Sequence, residues 1–238
     1  MIVYGINPVL EALRTGRVKA VRVSERASGR AADVARAAER EHVSVRRVPP
    51  AELDRAARGG VHQGVIAELE ESARFEVDDL VRSAAGAPLI VVLDGVEDPH
   101  NVGAILRTID AAGASGLVRQ SRHAAPLGGA AAKASAGAVS HVKVAEVVNV
   151  ARTLEALKDA GVWTVGLAGD APKRYDEVDL TLPTALVLGA EGVGLRRLVK
   201  ERCDWLVSIP ILGHVQSLNV SVAAGIALFE AVRQRNAR

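Results

Sequence analysis

Three short segments gather residue types able to do chemistry. The first runs from Asp94 to Thr108 and reads Asp-Gly-Val-Glu-Asp-Pro-His-Asn-Val-Gly-Ala-Ile-Leu-Arg-Thr. Asp98-Pro99 breaks a preceding strand, and Asn101 suits the cap of the helix that follows. Val102, Ile105, Leu106 and Ile109 form the buried side of that helix. Arg107 then sits near its first turn, with Gly103 one turn earlier placing no bulk beneath the guanidinium. There Arg107 can grip a phosphate or a hydroxyl. Equally, Asp98 or Asp110 can neutralise it on a solvated face.

The second segment, Gly189-Ala190-Glu191-Gly192-Val193-Gly194-Leu195, holds three glycines in six residues and lets a ligand approach the backbone. Glu191 in their midst would repel a phosphate. The segment is neither a Walker loop nor G-x-G-x-x-G, so a neutral or cationic ligand suits it better. A tight strand-to-helix turn with an exposed Glu is the plainer alternative. The third segment runs from Ser208 to Ala223. Ser217 reads as a helix cap, which places Asn219 in the first turn, where Asn is a poor helix residue. His214 can serve as a base or be an ordinary surface histidine.

The elements that must position these segments alternate between strand and helix. Leu89 to Leu93 is a continuous apolar run, as a strand covered on both faces requires. Further apolar runs at 114–118, 162–167, 185–188 and 206–209 alternate with helical stretches, and a long final helix is expected over 218–234. The class is α/β, and ligands of such sheets bind beyond the carboxyl ends of the strands, where all three segments fall. Before them lies a smaller α/β unit. Asn7-Pro8 caps its first helix and Gly16 stops it; strands follow at 18–23, 43–48 and 64–67, with helices at 29–41 and from Pro49-Pro50. The expected organisation is a first domain at 1–72, a linker and short helix at 73–87, and a second domain at 88–238.

Composition narrows the partners. The 238 residues carry a net charge of +2, but residues 1–60 hold 12 Lys and Arg against 7 Asp and Glu, a local excess of +5. Eleven of those cations are Arg, which suits a phosphate-rich partner or a solvated helical surface. Aromatic residues make up only 3%, which excludes a nucleic-acid surface built mainly on stacked rings. A single cysteine, Cys203, excludes an internal disulfide, and six scattered histidines show no metal-ligand spacing, so no metal is expected. No run is long and apolar enough for a membrane span, and a reducing cytoplasmic location is the simplest expectation.

Taken together, the three segments resemble the three motifs of the SpoU (TrmH-like) group of SPOUT-class RNA ribose 2′-O-methyltransferases. The matching stretches are Asp98 to Thr108, Leu188 to Gly194, and Ile209-Pro210 through Ser217 to Ala223. Outside the motifs, Gly5 to Leu13, His62 to Val65 and Lys133 to Ala138 resemble the branch of this group that methylates a guanosine ribose in 23S ribosomal RNA. The resemblance implies a small N-terminal RNA-binding domain, a C-terminal parallel-sheet domain with a deep trefoil knot, and a homodimer. It implies S-adenosylmethionine as cofactor, touched by backbone at Gly189, Ile209 and Leu218. It assigns Asn101, Arg107, Glu191, Ser217 and Asn219 to the catalytic group, with Arg107 as proton acceptor for the ribose hydroxyl. A free guanidinium holds its proton too tightly for that role, so the substrate phosphate and neighbouring groups must make it possible.

Two departures stand out: Ile211, where the family commonly has Met, and the small-residue run Gly128 to Ala132. The second bears on guanosine specificity more than on the reaction. Competing expectations are ribose methylation of tRNA or of an antibiotic-resistance site in ribosomal RNA, and a non-catalytic RNA-binding assembly factor.

Overall fold

A computed structural model describes residues 2–69, 75–122 and 124–237. In chain order its elements are β1 (Ile2–Tyr4), α1 (Ile6–Arg14), β2 (Val18–Ser24), α2 (Arg30–Arg40), β3 (Ser44–Val48), α3 (Pro50–Ala57), β4 (Val65–Leu69), α4 (Val77–Arg82), β5 (Leu89–Asp94) and α5 (Pro99–Ala111). There follow β6 (Gly116–Gln120), α6 (Gly129–Ala134), β7 (Val144–Val147), α7 (Val150–Asp159), β8 (Trp163–Leu167), β9 (Lys173–Arg174), β10 (Thr184–Gly189), α8 (Arg197–Arg202), β11 (Trp205–Ser208) and α9 (Val220–Asn236). They form two compact units. One gathers Met1–Ala73, Val102–Arg107 and Pro126–His141; the other gathers Arg74–Asn101, Thr108–Ala125 and Val142–Arg238. The boundary expected near residue 72 lies outside the described residues.

The first unit is built on a mixed four-stranded sheet in the order β1-β4-β2-β3, with only β2 and β3 parallel. The two-residue period of the strands divides its core. Ile66 and Tyr4 join Leu53 and Ala57 of α3 on one face, while Val65 and Ala67 alternate to the other. The first helix does not start as expected. Asn7 lies inside α1, the cap position is Gly5, and the Ile6 N–H donates to Gln63 Oε1 at 3.0 Å. A side chain 57 residues away therefore satisfies the helix end, a partner that local sequence cannot reveal.

Residues 126–141 pack in this unit rather than forming a free loop. α6 lies against β1 and α1, His141 Nε2 is 3.0 Å from Glu11 Oε1, and Arg17 donates to the Ser140 carbonyl at 3.1 Å. The middle of α5 approaches α6 at Gly103, where an added Cβ would lie 2.5 Å from the Ala131 carbonyl oxygen and 2.6 Å from the Ala134 Cβ. Gly103 is thus the contact that lets two helix backbones meet. The Ala-rich run at 128–132 supplies the matching small surface.

The second unit is an all-parallel seven-stranded sheet in the order β7-β6-β5-β10-β8-β11-β9. Every residue of β5 is buried, as the continuous apolar run requires. One face packs Ile90, Val92, Val118, Ala185 and Val187 against Leu80 of α4, Leu154 and Leu157 of α7 and Val199 of α8. α9 packs on β10. Among the described residues no helix is long and apolar enough to cross a membrane.

Arg235 near the end of α9 staples this unit. Its guanidinium donates to the carbonyls of Leu180, Ala87, Pro88 and Leu182 at 2.9, 2.6, 3.1 and 2.9 Å. Burial lowers its pKa from the ordinary arginine value. Removing the guanidinium takes a charged donor from four carbonyls, and the part-buried ones of Leu180 and Pro88 are left short of a partner while those of Ala87 and Leu182 meet water. Arg235→Ala is expected to lower unfolding stability by about 2 kcal/mol, read from the urea midpoint; a midpoint equal to the parent's would show that water replaces the guanidinium without loss.

Candidate active site

The loops after β5, β10 and β11 all leave the same edge of the parallel sheet. After β5, Asp98 caps α5 by accepting from the His100 N–H at 2.9 Å, and Pro99 occupies the first helical position. The expected cap, Asn101, lies inside the first turn and is buried, which frees its side chain for a tertiary bond. Arg107 stands in the third turn of α5, not the first. It is exposed and makes no hydrogen bond or ion pair with any described residue. Neither Asp98 nor Asp110 neutralises it.

After β10 the glycine segment closes on itself. Ala190 and Gly194 form a bridge, with the Gly194 N–H donating to the Ala190 carbonyl at 2.8 Å. A Cβ on Gly189 would lie 2.1 Å from the Gly194 carbonyl carbon, so only glycine permits this closure. A Cβ at Gly192 or Gly194 would meet no atom within 4 Å, so the backbone there is open to approach. Glu191 is exposed at the loop's tip.

The third loop corrects the expected cap of the last helix. Asn219, not Ser217, is the N-cap of α9: its Oδ1 accepts from the Ser221 N–H at 2.9 Å and the Ser221 hydroxyl at 2.6 Å. That resolves why a poor helix former stands there, since it stands outside the helix. Its Nδ2 then donates to Asn101 Oδ1 at 2.9 Å and to Glu191 Oε1 at 2.7 Å. One amide therefore joins all three segments.

Of the residues singled out from sequence, Asn101, Glu191 and Asn219 form one hydrogen-bonded group. Gly189 starts the second loop. Ile209 and Leu218 are half-buried on the third, where Ser217 and His214 are exposed. Arg107 lies on the helix of Asn101, about 9 Å further along its axis. Sequence reading passed over Asp94, a fully buried carboxylate ending β5. Among the described residues no cluster of His, Cys, Asp and Glu is arranged to hold a metal ion.

This edge offers open glycine backbone, a carboxylate, neutral amides, and the exposed apolar side chains of Val193, Leu212 and Val215. Such a donor set fits a ligand that is part apolar and part cationic, and it offers no phosphate cradle. Fold and site together define an α/β enzyme domain with a ligand edge built from three loops, joined in sequence to a smaller mixed-sheet domain.

The chain belongs to the SpoU rRNA methylase family, whose model matches residues 88–229; residues 2–75 match the family of RNA 2′-O ribose methyltransferase substrate-binding domains. The chain is 44% identical over 242 residues to the 23S rRNA (guanosine-2′-O-)-methyltransferase RlmB of Pseudomonas syringae, covering 99% of this chain and 96% of the relative. Among solved structures it resembles the SpoU methyltransferase AviRb of Streptomyces viridochromogenes in complex with AdoMet. That likeness has a TM-score of 0.84 and 29% identity, over 99% of this chain and 90% of the other. The TrmH/SpoU tRNA modifying enzyme of A. aeolicus aligns with only 67% of this chain and 81% of its own, at 34% identity and a TM-score of 0.57.

Proposed function

We infer that this protein methylates a ribose 2′-hydroxyl in RNA with S-adenosylmethionine, and that the ribose belongs to a guanosine of 23S ribosomal RNA. The observation that carries the reaction is the Asn219 amide joining Asn101 and Glu191 at the sheet edge. The choice of 23S RNA is supported by the near full-length match to the Pseudomonas syringae enzyme, which includes the substrate-binding domain. The tRNA-modifying relative aligns with about two thirds of the chain.

Backbone groups at Gly189, Ile209 and Leu218 would hold the cofactor, which when bound supplies an electrophilic methyl group on a sulfonium. Glu191 places a negative charge in the same loop and suits that cation. Arg107 orients the ribose hydroxyl and its neighbouring phosphate, and it stabilises negative charge developing on the oxygen as the hydroxyl proton passes to solvent water and the methyl passes from sulfur to oxygen. Ser217 and Asn219 steady ribose and cofactor. Alignment of the reacting atoms supplies most of the rate.

The strand order, with β10 between β5 and β8 and β11 beyond β8, supports the knotted chain path that the family resemblance implies. Residues 1–72 serve as the RNA-recognition domain, supported by Arg46 and Arg47 standing exposed on β3. Tritium transfer from labelled S-adenosylmethionine to purified 23S RNA and tRNA, followed by mapping, tests the assignment. Labelling of tRNA alone would overturn the ribosomal substrate, and no labelling of either would favour a non-catalytic role.

The protein acts as a homodimer. Val222 and Phe229, seven residues apart on one side of α9, are each 49% exposed, more apolar surface than a free helix face should leave in water. Sedimentation at assay concentration is expected to show a dimer. An active monomer would refute the requirement.

A further inference from the structure

Asp94 and Arg196 lie outside the hydrogen-bonded group of Asn101, Glu191 and Asn219, yet they hold the loop that carries Glu191. Asp94 is 0% exposed at the end of β5. A buried carboxylate persists only when paired and hydrogen-bonded. Its Oδ2 accepts from the Arg196 backbone N–H at 2.9 Å and its Oδ1 from Arg196 Nε at 2.7 Å, with Nη2 also against Oδ1. Arg196 is the residue on which α8 begins, directly after the glycine loop. The loop's other end, Gly189, is paired with Asp94 in the sheet. Entry and exit of the loop are therefore tied to a single buried side chain and its backbone.

We propose that the Asp94–Arg196 pair is a positioning clamp that holds residues 190–195 in the shape that receives the cofactor. Its two glycines, Gly192 and Gly194, make this segment costly to order, and a clamp that orders it beforehand removes that cost from ligand binding. The pair also neutralises the cation nearest the loop, so that Glu191 sets the local charge facing a sulfonium. This inference rests on the reading of the site as one for S-adenosylmethionine. The clamp controls cofactor affinity, and the chemical step is insensitive to it once cofactor is bound.

The test is Arg196→Gln in the full chain, beside Arg197→Gln as a control whose guanidinium pairs with Glu201 on the surface. Calorimetry should show Kd for S-adenosylmethionine and for its demethylated product raised at least about tenfold by Arg196→Gln. KM for the cofactor should rise in parallel, with kcat at saturation within about twofold of the parent. Arg196→Lys keeps the charge but loses the two-pronged grip, so it should recover part of the affinity. It also serves as the measured variant if Gln, which leaves Asp94 buried without its cation, does not fold. An unchanged Kd, or a fall in kcat with unchanged KM, would overturn the clamp. Failure of the unsubstituted protein to bind S-adenosylmethionine would instead overturn the cofactor reading itself, and is seen before any variant is compared.

Discussion

Arg107→Ala is expected to bind S-adenosylmethionine as tightly as the parent protein while transferring methyl groups at least about a hundredfold more slowly. The two halves of that result have separate causes. Arg107 is exposed and has no hydrogen-bond or ionic partner among the described residues, so truncating it breaks no such bond to them. The helix beneath is held by Ile105, Leu106 and Ile109, all fully buried, and stability should change by no more than about 0.5 kcal/mol. What disappears is the one cation on α5 available to a ribose oxygen and its phosphate. Single-turnover transfer to 23S RNA, with calorimetry on the same sample, measures both halves. A variant that transfers at close to the parent rate would show that the unpaired guanidinium has no part in the reaction.

Asn219→Asp separates the two duties of one side chain. The variant keeps an oxygen to cap α9, so the helix start should survive. Asn219→Ala, by contrast, should cost about 1 kcal/mol. The second oxygen of the new aspartate faces Glu191 Oε1 and Asn101 Oδ1, where the parent amide donates at 2.7 and 2.9 Å. Two charged acceptors then face each other where an N–H stood, and only the Asn101 amide, by turning over, has a hydrogen to offer. Activity is expected to fall at least about a hundredfold at neutral pH.

Repulsion between the paired carboxylates raises the pKa of one of them. Below that value a shared proton restores the missing donor, so the variant's activity relative to the parent should climb as pH falls. A ratio flat with pH would show that Asn219 serves only as a helix cap.

Much of the frame was legible because its strands carry signals that depend on the strand alone. β5 and β10 are unbroken apolar runs, and both lie in the middle of the parallel sheet. β9 has two residues, Lys173 and Arg174, and no local pattern marks so short a strand. α6 is built from Gly, Ala and one Lys; alanine on every side erases the 3.6-residue period by which a helix is found. The three motif loops were found, but two of their caps were misplaced. Asn101 and Ser217 are competent caps by type, and so are the caps observed, Asp98 and Asn219, so residue type alone does not choose among candidates two or three residues apart.

Gly103 suggests open space beneath Arg107, whereas α6, about 30 residues further along the chain, packs against it. Asp94 went unnoticed for a related reason. At the end of an apolar run, an aspartate looks like the point where a strand meets water, and nothing local distinguishes it from a fully buried partner for Arg196.

The position of the Asn219 amide has a consequence for how the enzyme comes into being. Its hydrogen bond to Asn101 spans 118 residues, and its other partner, Glu191, is 28 residues away. Synthesis runs from the first residue to the last, so the sheet and the glycine loop emerge before the amide that ties them together. A chain released early, or still held at its end by the machine that makes it, carries its RNA-reading portion without a completed centre. The three motif segments can be joined only after α9, which carries the joining amide at its start, has been made.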